Sequence, residues 1–139
     1  MDDVRVLVVD DETDFLDMIV RRLKQRVLDV SGVTSGDAAV RVIREHPVDV
    51  VILDMRMPEM DGIETLQEIK KLSPMVEVIV LTGYANMESA MRVMEMGAFD
   101  YLMKPSDMDD LEYKIQDAYQ EKRLNEKMLN SSQGNREKT

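Results

Sequence analysis

Residues 48–54, Val48-Asp49-Val50-Val51-Ile52-Leu53-Asp54, decide the fold. A strand with one wet face alternates apolar and polar side chains, whereas this run is largely apolar on both faces, as in a strand covered by helices on both sides. A carboxylate closes the run at Asp54. An ionisable group at the mouth of an apolar strand is least expected there unless it has chemistry to perform.

Similar apolar, β-branched runs occur at Arg5 to Val9, Val76 to Leu81 and Phe99 to Met103. Val27 to Val33 is a weaker fifth, expected near an edge of the sheet. Helical spacing separates them. Phe15, Ile19 and Leu23 mark the first helix, Ala39, Val42 and Ile43 the second, and Ile63, Leu66, Ile69 and Lys70 the third. Met87, Ala90, Met91 and Met94 mark a fourth, and Leu111, Ile115 and Ala118 a fifth that begins near Asp107. Ser35, Asp61, Asn86 and Ser106 suit N-cap positions, Asp61 and Glu64 have capping-box spacing, and Gly97 suits a helix stop. Five βα units in succession predict an α/β fold, a five-stranded parallel sheet doubly wound with helices on both faces.

Composition sets outer limits. The 139 residues suit one domain, and an apolar share of 44% suits a folded one. With zero cysteines there is no disulfide framework. The acidic N-terminus lacks the basic start of a secretory signal, and no segment approaches the roughly 20 apolar residues that span a bilayer, so a cytoplasmic protein without membrane contact is expected. Eighteen basic against 28 acidic residues give a formal charge of −10, which disfavours direct nucleic-acid binding by this chain. An effect on genes would run through another domain or chain. After about Lys127 the sequence turns polar and loses periodicity, so residues 1–127 are read as the domain and 128–139 as a polar C-terminal tail or the start of a linker.

Ligands of a parallel α/β sheet bind outside the carboxyl ends of its strands. Those ends carry Asp10 and Asp11, then Asp54, Thr82 and Lys104. Taken singly, each aspartate suits a helix cap or a solvated loop. Three at successive strand ends opposite a lysine repel one another and call for a hard divalent cation such as Mg²⁺, which takes carboxylate, water and phosphate oxygens. Asp54 can then act as the nucleophile that takes up a phosphoryl group. Mg²⁺ and Lys104 would balance the charge on the equatorial oxygens, and the Thr82 hydroxyl could donate a hydrogen bond to one of them. The loop Asp10-Asp11-Glu12-Thr13-Asp14 has no glycine-rich phosphate cradle, which counts against nucleotide or flavin binding.

These pieces together resemble the receiver (phosphoacceptor) domains of bacterial two-component response regulators. The resemblance covers roughly residues 4–125 and rests on Asp10-Asp11, LDMRMPEMDG at 53–62, VLTGYA at 80–85 and GAFDYLMKP at 97–105. It implies a flavodoxin-like (βα)5 fold and two-component signal transduction, with Asp54 charged by the phosphohistidine of a sensor histidine kinase or a phosphotransfer protein. It implies Asp11 and Asp54 as direct Mg²⁺ ligands, Asp10 acting largely through water, and the backbone carbonyl of Arg56 completing the set. It further implies Thr82 and Tyr101 as the switch, Arg56 and Tyr84 as modulators of phosphoryl lifetime, and a Lys104–Pro105 bond that is often cis. The face of the fourth helix, fifth strand and fifth helix would be remodelled, with room there for a homodimer. The expected protein is a regulatory phosphoacceptor whose catalysis is confined to its own phosphorylation and dephosphorylation.

Other readings compete residue by residue. A Mg²⁺-dependent aspartyl-phosphate phosphatase resembles this site but carries a second aspartate two residues beyond the nucleophile, where this chain has Arg56. A constitutive binding module that keeps only the fold would not need the complete set of site residues. His46, the single histidine, is read as an exposed residue near a helix C-terminus. The 13 methionines are read first as core filling, with Met87, Met91 and Met94 as a second reading for a partner surface. Tyr101, on periodicity alone, is a strand residue packed under the fifth helix.

Overall fold

The computed structural model describes residues 4–26, 29–55, 61–83, 86–104 and 107–137, with the side chains of 132–137 outside the described set. Strand β1 (Arg5–Val9) leads into helix α1 (Thr13–Lys24), and β2 (Asp29–Val33) into α2 (Gly36–Glu45). The order continues with β3 (Val50–Leu53), α3 (Gly62–Leu72), β4 (Glu77–Thr82), α4 (Met87–Glu95), β5 (Asp100–Met103) and α5 (Met108–Glu137). The strands form one sheet in the order β2-β1-β3-β4-β5, and every pairing is parallel. The expected doubly wound α/β architecture is therefore the one observed, with the weak strand β2 at an edge. Three strands begin one or two residues later than apolar composition suggests, at Val50, Glu77 and Asp100.

Side-chain alternation along the strands feeds two separate cores. Val6, Val8, Val50, Ile52, Ile79 and Leu81 pack with Leu16, Ile19 and Leu23 of α1 and Leu111, Ile115 and Ala118 of α5. Leu7, Val9, Val51, Leu53, Val78 and Val80 pack on the opposite face with residues of α2, α3 and α4, among them Ala39, Ile43, Leu66, Ile69 and Val93. The period of two sends neighbours to opposite faces, and helices on both sides explain why β3 has no polar position.

Helix ends follow local chemistry. Ser35, Asp61 and Asn86 each accept a backbone hydrogen bond from three residues ahead, as expected of N-caps. Ser106 lies outside the described residues, and the side chain that accepts at the start of α5 is Asp107, from the N–H groups of Asp109 (2.8 Å) and Asp110 (3.2 Å). Gly97 stops α4 with φ +101°, while its N–H reaches the Met94 carbonyl and that of Ala98 reaches Val93, a Schellman closure.

One expectation changes. The α4 methionines are not core filling. Met87, Met91 and Met94 are exposed, and Val93 is the buried residue of that helix, because the stripe facing the sheet lies one residue off the methionine stripe. Helix α5 continues past Lys127 to Glu137, with Leu124, Met128 and Leu129 exposed along it. Among the described residues no helix is long and apolar enough to cross a membrane.

Candidate functional site

Sheet register assembles the site. Val9 pairs with Leu53, so the next residue of each strand, Asp10 and Asp54, emerges side by side. The ladder continues through them, since Asp54 N–H donates to the Val9 carbonyl (3.0 Å) and Asp10 N–H to that of Val33 (3.1 Å). On the far side of β4, Lys104 N–H donates to the carbonyl of Thr82 (2.9 Å). These hydrogen bonds tie the carboxyl end of β1 to those of β2 and β3 and that of β5 to β4, and the Leu53–Val80 pairing joins β3 to β4.

The Lys104 ammonium occupies the centre. Its Nζ donates to Asp10 Oδ2 at 2.6 Å and to Glu12 Oε1 at 3.1 Å, and lies 3.7 Å from Asp54 Oδ2. Asp10 Oδ1 accepts from the Glu12 N–H (2.9 Å). Asp10 and Asp54 are both buried, and Glu12 is exposed. One oxygen from each of Asp10, Glu12 and Asp54 falls within 4.8 Å of the others.

The charges answer to that crowding. Burial pushes the Asp10 carboxyl above its usual range, with the nearby Asp54 charge acting the same way, and the hydrogen bonds from Lys104 and Glu12 only partly offset this. For Lys104 burial works to lower the pKa, but hydrogen bonds to Asp10 and Glu12 and the charges of Asp54 and Asp10 outweigh it, so the amine titrates above its usual value. Lys104 is thus a firm cation. Three carboxylates against one ammonium leave a formal excess of two negative charges.

Comparison with known proteins matches that arrangement. Residues 6–116 fit the model of the response regulator receiver domain. The chain belongs to the response regulator receiver family. Among curated relatives it is 39% identical over 117 residues to the transcriptional regulatory protein ZraR of Escherichia coli K12 and 37% identical over 116 residues to the regulatory protein AtoC of the same strain. Those matches take in 84% of this chain but only 26% and 25% of the relatives, so the chain spans about a quarter of their length. Among solved structures, a receiver domain from Clostridium thermocellum is 38% identical with a TM-score of 0.82, covering 87% of this chain and 98% of that one. A CheY-like receiver domain from Methanospirillum hungatei is 30% identical with a TM-score of 0.84, covering 89% and 99%.

Receiver domains are phosphorylated on aspartate by histidine kinases and bind Mg²⁺ at an acidic pocket. The donor set here fits such an ion: all-oxygen, carboxylate-rich, and compact enough for ligand oxygens spaced about 3–4 Å apart around a centre some 2.1 Å from each.

Of the residues singled out in the sequence, Asp10, Asp54 and Lys104 meet directly. Thr82 ends β4, fully buried, and Tyr101 is half-buried on β5, packed against the core on the α2–α4 face rather than under α5, because its side chain points to the other side of the sheet. Asp11 is exposed and falls outside the group of three carboxylates within 4.8 Å. Arg56 with its carbonyl, Tyr84 and Pro105 lie outside the described residues. Two participants were not anticipated. Glu12 sits at the N-cap position of α1 yet caps nothing, because its carboxylate goes to Lys104. Phe15 presents its ring to the same ammonium, 4.1 Å from the centroid. An acidic residue unused by its own helix would have been the signal for Glu12. For Phe15 there was none, since it also satisfies the core-facing period.

Proposed function

We propose that Asp54 is the phosphoacceptor of this receiver domain and that Lys104 and Thr82 are its partners in the transfer. The observation that carries the reading is a buried carboxylate 3.7 Å from a lysine ammonium that two further carboxylates hold in place. An Asp54 oxygen attacks phosphorus, the bond from phosphorus to the donor nitrogen or oxygen breaks, and the leaving group takes up a proton. Lys104, already charged, needs only to shift towards Asp54 to meet the new oxygens. Thr82, at the end of the neighbouring strand, would donate its hydroxyl to another.

Asp10, Asp11 and Asp54, with the Arg56 carbonyl, would hold Mg²⁺; bound there, the ion neutralises charge on the transferring group. Asp11 is at the surface and follows the buried Asp10 directly in the chain. The position of Glu12 makes it a further candidate for the same set. Arg56 and Tyr84 would modulate phosphoryl lifetime.

The new charge, roughly −1.5 to −2 with extra acceptor oxygens, is the switching signal. Drawing Thr82 inward frees space on β4 beside β5, into which Tyr101 can turn. The pairing of Val80 with Tyr101 and Thr82 with Met103 puts these side chains on adjacent strands. The surface altered would be α4, β5 and α5, where Met87, Met91, Met103 and Tyr113 stand exposed. A sensor kinase or phosphotransfer protein as donor, a cytoplasmic setting and a homodimer through that face belong to the same reading. So does a regulatory output coupled through the segment from 128, since ZraR is named a transcriptional regulatory protein and AtoC a regulatory protein.

Incubation with acetyl phosphate and Mg²⁺, followed by intact mass and peptide mapping, tests the assignment. One phosphoryl group on Asp54 is expected, with none on Asp54→Asn. Undiminished labelling of that variant would refute it.

A further inference from the structure

Phe15 satisfies the packing of α1, but its position does more than fill space. The Lys104 side chain is 10% exposed, and its ammonium has carboxylates at 2.6, 3.1 and 3.7 Å. The aromatic ring lies against it with the centroid 4.1 Å from Nζ. The ring is itself partly buried against the core of α1 and α5, so the helix holds it in place.

A ring face attracts a cation through its quadrupole, without the directionality of a hydrogen bond. Such a surface offers the N–H groups no lone-pair acceptor. It therefore leaves them directed at the carboxylates and keeps water from that flank. The ring also holds the ammonium where a short swing takes it from Asp10 to Asp54, so that losing the ring lowers the share of molecules with Lys104 in place. We infer that Phe15 is a positioning residue for the phosphoryl transfer, a cation–π seat on which Lys104 moves between Asp10 and the group on Asp54. This rests on the assignment of Asp54 as phosphoacceptor.

Lysine-labelled protein tests the seat directly by NMR. The Lys104 ε-methylene protons, assigned by loss of their signal in Lys104→Arg, are expected upfield of those of the other lysines through the ring current. Phe15→Leu should abolish that shift, and Phe15→Tyr should keep it. In parallel, phosphorylation by phosphoramidate at saturating Mg²⁺ should slow about two- to tenfold in Phe15→Leu, the factor an ordinary cation–π contact commands. Phe15→Tyr should stay close to the parent rate, and Mg²⁺ affinity by calorimetry should be unchanged in both variants. A parent spectrum without the upfield shift overturns the proposal. So does an unslowed Phe15→Leu, or a Phe15→Tyr as slow as Phe15→Leu, which would mark a packing effect. Equal labelling of Asp54→Asn would instead overturn the phosphoacceptor reading, and this proposal with it.

Discussion

Gly62 shows how closely a single residue can constrain Asp54, the proposed phosphoacceptor. It opens α3 directly after the cap Asp61, and its N–H donates to the Met55 carbonyl at 3.2 Å. A Cβ placed there would lie 2.5 Å from the Met55 Cα and 2.9 Å from the Asp54 carbonyl oxygen. Both obstacles are backbone, which cannot swing aside as a side-chain tip can. Gly62→Ala should therefore cost about 1–3 kcal/mol of stability, as overpacking does, and move the Asp54 backbone. Urea denaturation measures the first effect and phosphorylation rate the second; a variant as stable as the parent would show that the loop yields freely. The motif containing Gly62 was evident from the sequence, but the reason for the glycine lies in a contact across seven residues.

Among the elements, α5 is tied to the sheet by charge as well as by Leu111, Ile115 and Ala118. Asp49, buried just before β3, accepts from the Arg5 backbone N–H (2.9 Å), Arg5 Nε (3.2 Å) and Arg5 Nη2 (3.2 Å), and pairs with Lys122 of α5 at 3.1 Å. Burial works to raise the Asp49 pKa, but the hydrogen bonds from Arg5 and Lys122 outweigh it and hold the carboxyl below its usual range. A depressed folded-state pKa adds stability that is fully present above the unfolded value of about 3.9 and is lost as pH falls through the folded one. Asp49→Asn should then destabilise by about 3 kcal/mol near pH 7, the lower end for a broken buried pair because Arg5 reaches water. Its deficit relative to the parent should shrink below about pH 4. Denaturant midpoints at the two pH values check this, and a deficit independent of pH would remove the ionic explanation. Asp49 had looked like an ordinary strand residue, since nothing local distinguishes a polar group at a strand start from one with two cations folded onto it.

At the scale of the whole molecule, the parallel register gathers negative charge faster than it supplies cations. Asp10, Glu12 and Asp54 converge on Lys104 from two places in the chain, within a protein of formal charge −10. A divalent cation that binds only the folded state relieves that excess, and at a hundred times its Kd it should stabilise the fold by about 2.7 kcal/mol. Thermal melts with Mg²⁺, compared with NaCl at matched ionic strength, should show the shift for Mg²⁺ and its loss in Asp54→Asn. An equal shift from NaCl would point to general screening instead. The α4 methionines belong to this scale too, because only the packing of α4 on the sheet told the buried Val93 apart from its exposed neighbours.

The sequence by itself determined the order and type of the elements, the parallel sheet, and the strand ends where Asp10, Asp54, Thr82 and Lys104 stand. Those follow from period and from local capping, which act over a few residues. Tertiary structure decided the rest: Glu12 and Phe15 around Lys104, Asp49 under α5, and Gly62 against Asp54. Each of these depends on distances between segments far apart in the chain or on the fit of one backbone against another, and periodicity carries no record of either.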